Sequence, residues 1–133
     1  MTWERCHLNV QDTKHGDPLI RGLALRTIAY IPLLKYAEAL MGPLNQALKD
    51  SDPYVRKTAA LCLAKMYAHS PDLMEAENGI EKLYHLLSDG NAAVVASAVT
   101  ALMDIHQKTE KYDLVVDMNM ASRLLTAIDD CNE

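Results

Sequence analysis

Phenylalanine is missing from this chain, tryptophan occurs once, and only five glycines are spread over 133 residues. An all-β protein draws on aromatic residues for its strands and on glycine for its tight turns. Neither is in supply. No apolar run approaches the roughly 18 residues of a membrane span, and the opening "MTWERCHLNVQD" has no apolar core resembling a secretory signal. Cys6, Cys62 and Cys131 lie far apart, are odd in number and form no Cys-x-x-Cys pair. That usage suits a reducing, cytosolic compartment with free thiols. Lysine and arginine gather into no basic stripe and the net charge is −5, which argues against nucleic acid as the main partner.

What is present favours helix. Half of the residues are apolar, chiefly Ala, Leu, Met, Val and Ile, and Ala, Leu, Met, Lys, Glu and Gln are good helix formers. At 133 residues the chain is long enough for one domain with a core of its own. The class is all-α.

Three helix openings fall into register. Asp17-Pro18-Leu19-Ile20-Arg21 is followed by Ala24, Asp52-Pro53-Tyr54-Val55-Arg56 by Ala59, and Asn91-Ala92-Ala93-Val94-Val95 by Ala98. The spacings are 35 and then 39 residues, with the variation falling in the connecting turns. Asp17, Asp52 and Asn91 are N-cap residues, whose side-chain oxygens accept from free backbone N–H groups. Pro18 and Pro53 occupy the first helical position, where a missing N–H costs nothing. Behind each opening comes a buried stripe at helical spacing: Val55, Ala59, Cys62, Leu63 and Met66, then Val94, Ala98, Ala101, Leu102 and Ile105. Small residues in these stripes let neighbouring helices approach closely.

A second helix precedes each opening. Leu44, Ala47 and Leu48 run into Lys49-Asp50; Leu83, Leu86 and Leu87 run into Ser88-Asp89; Leu124, Leu125 and Ile128 run into Asp129-Asp130. Two residues after the acid comes the next cap: Asp52, Asn91, Asn132. The unit is a helix A, a tight polar turn and a helix B, and stacked hairpins of this length are HEAT-like repeats in an α-solenoid, a fragment of a right-handed superhelix. Approximate repeats are 1–31, 32–69, 70–108 and 109–133, the last incomplete. Residues 3 to 13 give only a short first helix A, and Cys131-Asn132-Glu133 stops where a fourth helix B is due. Both ends read as cut from a longer array.

Several motifs invite sharper readings. Tyr30 to Leu33, Tyr84 to Leu87 and Tyr112 to Val115 mimic tyrosine-based sorting signals, but such signals must be extended and exposed, and the first two fall on or beside helices that the periodicity predicts, so a core or helix-surface role suits the strings better. His7, His15, His69, His85 and His106 show no i, i+4 pairing and no Cys pair at zinc spacing, so surface or turn roles suit them. Cys62 sits on an apolar face as a small hydrophobe. No P-loop, Gly-x-Ser-x-Gly or glycine-rich phosphate cradle occurs. No catalytic, metal or cofactor-binding residue is assigned, and no cofactor.

Three stretches, "LKDSDPYVRKTAALCLAKMY", "DPLIRGLALRTI" and "AAVVASAVTAL", resemble the beta-adaptins, the large beta subunits of clathrin-associated adaptor complexes. The likeness runs from about Asp12 to Glu133 and takes in the closing "RLLTAIDDCNE". HEAT helices in general share only an Asp-Pro-x-Val-Arg-x-x-Ala skeleton, whereas Tyr54 and Lys57-Thr58-Ala59-Ala60 are narrower. The resemblance implies a non-enzymatic trunk segment that curves around the other subunits of a coat adaptor: a second large chain and the medium and small chains. It extends to an Arf-type small GTPase as a further partner, and to peripheral association with coated-vesicle, endosomal, trans-Golgi or plasma membranes from the cytoplasm. The family's clathrin-binding hinge lies outside the matched stretch. The beta-subunit trunk of coatomer is the nearest alternative, with an unrelated HEAT scaffold behind it. A HEAT enzyme is disfavoured because no histidine here is followed by glutamate.

HEAT repeats characteristically pair the helix-B arginine with the acid that ends a helix A. Arg21, Asp50, Arg56 and Asp89 occupy those positions, and Arg56 is expected to bridge the carboxylates of Asp50 and Asp89 in a ladder between layers. The alternative is ordinary solvated charge. His15 replaces the acid in the first repeat and Val95 replaces the arginine in the third, so the ladder is short.

Overall fold

A computed structural model describes residues 10–29 and 37–109. Its elements are α1 (Pro18–Ala29), α2 (Ala37–Ala47), α3 (Pro53–His69), α4 (Pro71–Ala76), α5 (Gly79–Leu86) and α6 (Ala92–Thr109). There is no strand among the described residues. Leu124, Leu125 and Ile128, the tyrosine strings at 30–33 and 112–115, Cys6, Cys131 and His7 lie outside them.

The helices sort into the two kinds expected of hairpin repeats. α1, α3 and α6 open at the three registered caps and pack in sequence, with α3 in the middle against α1 on one side and α6 on the other. α2 and the α4–α5 pair lie against α3, and α5 also packs on α6. The stack is an all-α solenoid of helical hairpins. Its centre is α3, which buries Val55, Thr58, Ala59, Ala60, Cys62, Leu63, Ala64, Met66 and Tyr67. So wide an apolar surface needs neighbours on several sides, and five helices supply them.

Both stripes read from the sequence are buried, and Leu44, Ala47, Leu48, Leu83, Leu86 and Leu87 join the same core from the other layer. Each fully buried leucine, such as Leu63 or Leu83, contributes about 1.5–3 kcal/mol. Tyr84 packs partly against this core from α5, and Leu87 beyond it is buried. That string is therefore helical scaffold and not an extended signal.

The helix before the third opening is broken in two. α4 ends at Ala76, Asn78 takes a left-handed conformation (φ 55°), and α5 restarts at Gly79. Asparagine is among the few residues that enter this region readily. A Cβ at Gly79 would approach the carbonyl of Met74 to 3.2 Å, so the restart holds the two short helices close.

Candidate functional site

The joints between hairpins carry the built polar chemistry of the described residues. Each begins with a cap. Asp17 Oδ1 accepts from the N–H of Leu19 at 2.9 Å, Asp52 Oδ1 from that of Tyr54 at 2.8 Å, and Asn91 Oδ1 from that of Ala93 at 2.9 Å. Pro53 follows its cap at the first helical position of α3, and Pro18 opens α1 in the same way.

Two residues ahead of each cap sits a second acceptor. Asp50 Oδ1 accepts from the N–H of Asp52, and Asp89 Oδ1 from that of Asn91, both at 2.9 Å. His15 takes this place in the first joint: its Nδ1 accepts from the N–H of Asp17 at 3.0 Å. An imidazole nitrogen thus does for one turn what a carboxylate oxygen does for the other two.

Across these turns run two bidentate ion pairs. Arg21 donates through Nε and an Nη to the two carboxylate oxygens of Asp50, both at 2.9 Å. Arg56 does the same to Asp89, at 2.8 and 3.1 Å. The remaining Nη of each arginine turns back to the loop before its own helix. Arg21 reaches the carbonyls of His15 and Gly16 at 2.8 and 3.0 Å, and Arg56 those of Asp50 and Ser51 at 2.8 and 3.2 Å. One planar guanidinium therefore ties three things: its own helix, the loop before it, and the end of the next hairpin's first helix. Lysine lacks the fork for this.

The expected bridge of two carboxylates by Arg56 is not what forms. Its contact with Asp50 is to the main-chain carbonyl, while the Asp50 carboxylate faces Arg21. The turn fixes this: Asp50 Oδ1 accepts from the Asp52 N–H and, in the same orientation, also accepts from Arg21 on α1 beside Oδ2. The result is two separate pairs, each between helix B of one repeat and helix A of the next. The loop carbonyls as arginine acceptors, and His15 as a turn acceptor, were not read from sequence. The signal for His15 was its register with Asp50 and Asp89.

The pairs are largely covered. Side chains of Arg21 and Asp50 each keep 15% of their exposure, those of Arg56 and Asp89 19% and 11%. Burial works to raise the pKa of Asp50, but the bonds from Arg21 and the Asp52 N–H, with the fields of Arg21 and Arg56, outweigh it and hold the carboxyl below its usual range. The Asp50 bond raises the pKa of Arg21 against some desolvation. Elsewhere, burial pushes the Cys62 thiol up to about 12, and its Sγ donates to the Leu25 carbonyl at 3.8 Å. A thiol held protonated is no nucleophile. Among the described residues no group of three or more His, Cys, Asp or Glu side chains is placed to hold a metal ion.

A stack of helical hairpins joined at fixed intervals by arginine–aspartate pairs is a helical-repeat scaffold. The family model described as Cnd1, non-SMC mitotic condensation complex subunit 1, matches residues 19–133, and the chain belongs to that family. Over nearly its whole length it is similar to adaptor-complex beta subunits. It is 44% identical over 126 residues to the AP-1 complex subunit beta-1 of Homo sapiens, and 42% identical over 123 residues to the AP-1 complex subunit beta of Dictyostelium discoideum. It is 36% identical over 126 residues to the AP-2 complex subunit beta of Schizosaccharomyces pombe. These matches take in 93%, 92% and 95% of this chain but only 13%, 13% and 19% of the relatives. The chain spans less than a fifth of the length of the curated relatives it matches. No helix among the described residues is long and apolar enough to cross a membrane.

Proposed function

We propose that the chain is a trunk segment of a beta-adaptin, a non-enzymatic scaffold on which the other adaptor subunits assemble during clathrin-coated vesicle formation and intracellular protein transport. The observation that carries this reading is the similarity to AP-1 and AP-2 beta subunits across more than nine-tenths of the chain. The two successive arginine–aspartate joints add to it, because an array that wraps partners must hold each hairpin at a set angle to the next. Its partners are then a second large chain and the medium and small chains, with an Arf-type GTPase as a further contact. The complex works from the cytoplasmic side, peripheral to coated-vesicle, endosomal, trans-Golgi or plasma membranes. The working units are the repeats 1–31, 32–69, 70–108 and 109–133.

Affinity capture from cytosol with the tagged chain tests this. Co-purification of the other adaptor chains supports it. Coatomer chains or a phosphatase catalytic subunit in their place would overturn it.

A further inference from the structure

Three cap residues in register each donate a main-chain N–H to the side chain two positions earlier. Asp52 donates to Asp50 Oδ1 and Asn91 to Asp89 Oδ1, both at 2.9 Å. Asp17 donates to His15 Nδ1 at 3.0 Å. Carboxylates keep accepting from neutral pH down to the acid range in which they titrate. Imidazole differs, because its ordinary change of charge falls between about pH 5 and 8. Aspartate thus closes two of these turns, and what histidine adds at the third is a response to a proton.

An Nδ1 that accepts an N–H must be bare, so the ring hydrogen belongs on Nε2. A proton taken up from water goes to Nδ1. Both partners are then donors, and the bond is lost. His15 is exposed, so the proton reaches it without any opening of the fold.

The surroundings of the ring are charged. Arg21, on α1, donates to the main-chain carbonyl of His15 at 2.8 Å. Lys14 and Asp17 stand close by in the turn, and the carbonyl of Asp12 accepts from the His15 N–H at 3.1 Å. Asp50, in the turn after α2, lines the same recess as Lys14, His15 and Arg21. Two of the carboxylates have tasks of their own. Asp17 accepts from the Leu19 N–H, and Asp50 from Arg21 and the Asp52 N–H. An imidazolium here joins the cations Lys14 and Arg21.

We propose that His15 is a proton-operated latch on the turn that leads into α1. Neutral, it holds the Asp17 N–H; protonated, it lets go. Arg21 hangs on the same turn through the carbonyls of His15 and Gly16, at 2.8 and 3.0 Å. Release therefore loosens the loop anchors of Arg21 while its pair with the Asp50 carboxylate stays in place. The turns before α3 and α6 keep their carboxylate acceptors. Mild acid acts on one turn of the three.

Nuclear magnetic resonance on the intact chain, titrated from about pH 8 to about pH 5 across the histidine range, reads the three amides in one sample. At the upper end the His15 ring carries its hydrogen on Nε2. The Asp17 amide resonance then moves with the same midpoint as the ring. Its protection from hydrogen exchange falls by about two- to tenfold, the scale of one ordinary hydrogen bond. The amides of Asp52 and Asn91 do not move. His15→Asp makes the Asp17 amide behave like the other two, and His15→Ala leaves it unprotected at every pH. Circular dichroism confirms that each variant is folded, and the titration of the native chain stands without either. A ring hydrogen on Nδ1 at the upper end, or an Asp17 amide that stays still while the ring titrates, would overturn the latch. So would an Asp17 titration that persists in His15→Asp, since another group would then be its source.

Discussion

Arg56 and Asp89, 33 residues apart, meet through both arms of the guanidinium and both oxygens of the carboxylate, at 2.8 and 3.1 Å. Arg21 and Asp50 repeat the arrangement one hairpin earlier. In each case the same arginine also holds the loop before its own helix. The joint is thus a repeating three-way tie, and its geometry generates distinct expectations for acid, size and reactivity.

Acid should loosen the first joint. The folded-state pKa of Asp50 lies below its ordinary value of 3.8, so its ionised form stabilises the fold. That contribution is fully present above pH 3.8 and disappears as pH falls through the lowered folded value. Urea melts of the native chain and Asp50→Asn, run from neutral pH downward, check this. The stability gap between them stays constant down to about pH 4 and narrows below it. A gap that widens on acidification would show that the carboxylate is not favoured by folding.

Gly22 is required by contact. A Cβ there would fall 2.3 Å from Cε1 of Tyr54, so the tyrosine ring lies directly on the α1 backbone. In an open helix Gly→Ala stabilises by about 1 kcal/mol. Here overpacking is expected to reverse the sign, with Gly22→Ala costing about 1–2 kcal/mol. In a Tyr54→Ala background the same substitution becomes stabilising. Thermal melts of the four combinations give the answer, and a stabilising Gly22→Ala in the native background would show that the ring swings aside freely.

Cys62 should resist labelling. Its thiol is buried, hydrogen-bonded and pushed up to about 12. In a Cys6→Ser, Cys131→Ser background, iodoacetamide at neutral pH reacts at least about a hundredfold more slowly with the folded chain than with the chain in urea. Mass spectrometry over time measures both rates. Equal rates would mean that α3 opens from α1 as readily as a surface loop.

Much of this architecture is legible in the sequence because it repeats. Asp-Pro followed by a small-residue stripe marks α1 and α3, and the same stripe marks α6 although Asn91-Ala92 replaces Asp-Pro. Recurrence also picks out Arg21, Arg56, Asp50 and Asp89. What it leaves open is direction. Register along the chain does not say which arginine the Asp50 carboxylate faces, because that depends on how the side chain closes its own turn. Nor does it show the break at Asn78, where a left-handed residue splits one helix into two. Nor does it show that Arg26 and Lys57, on different helices, come to line one groove, because only packing brings them together.

The central claim is that one arginine fixes successive hairpins to each other, and a double-mutant cycle on Arg56 and Asp89 tests it most directly. Both side chains are mostly covered, so Arg56→Ala leaves a carboxylate and two loop carbonyls short of donors, at a cost of about 1–3 kcal/mol. An exposed pair would be worth only about 0.2–1 kcal/mol. Lys57→Ala, one position along on the same helix, is the charge-matched control. Urea melts of Arg56→Ala, Asp89→Ala and the double variant should show losses that fall short of additive by more than about 0.5 kcal/mol, with Lys57→Ala near native. Strict additivity, or equal midpoints for Arg56→Ala and Lys57→Ala, would reduce Arg56 to a surface charge and leave the hairpins joined by apolar packing alone.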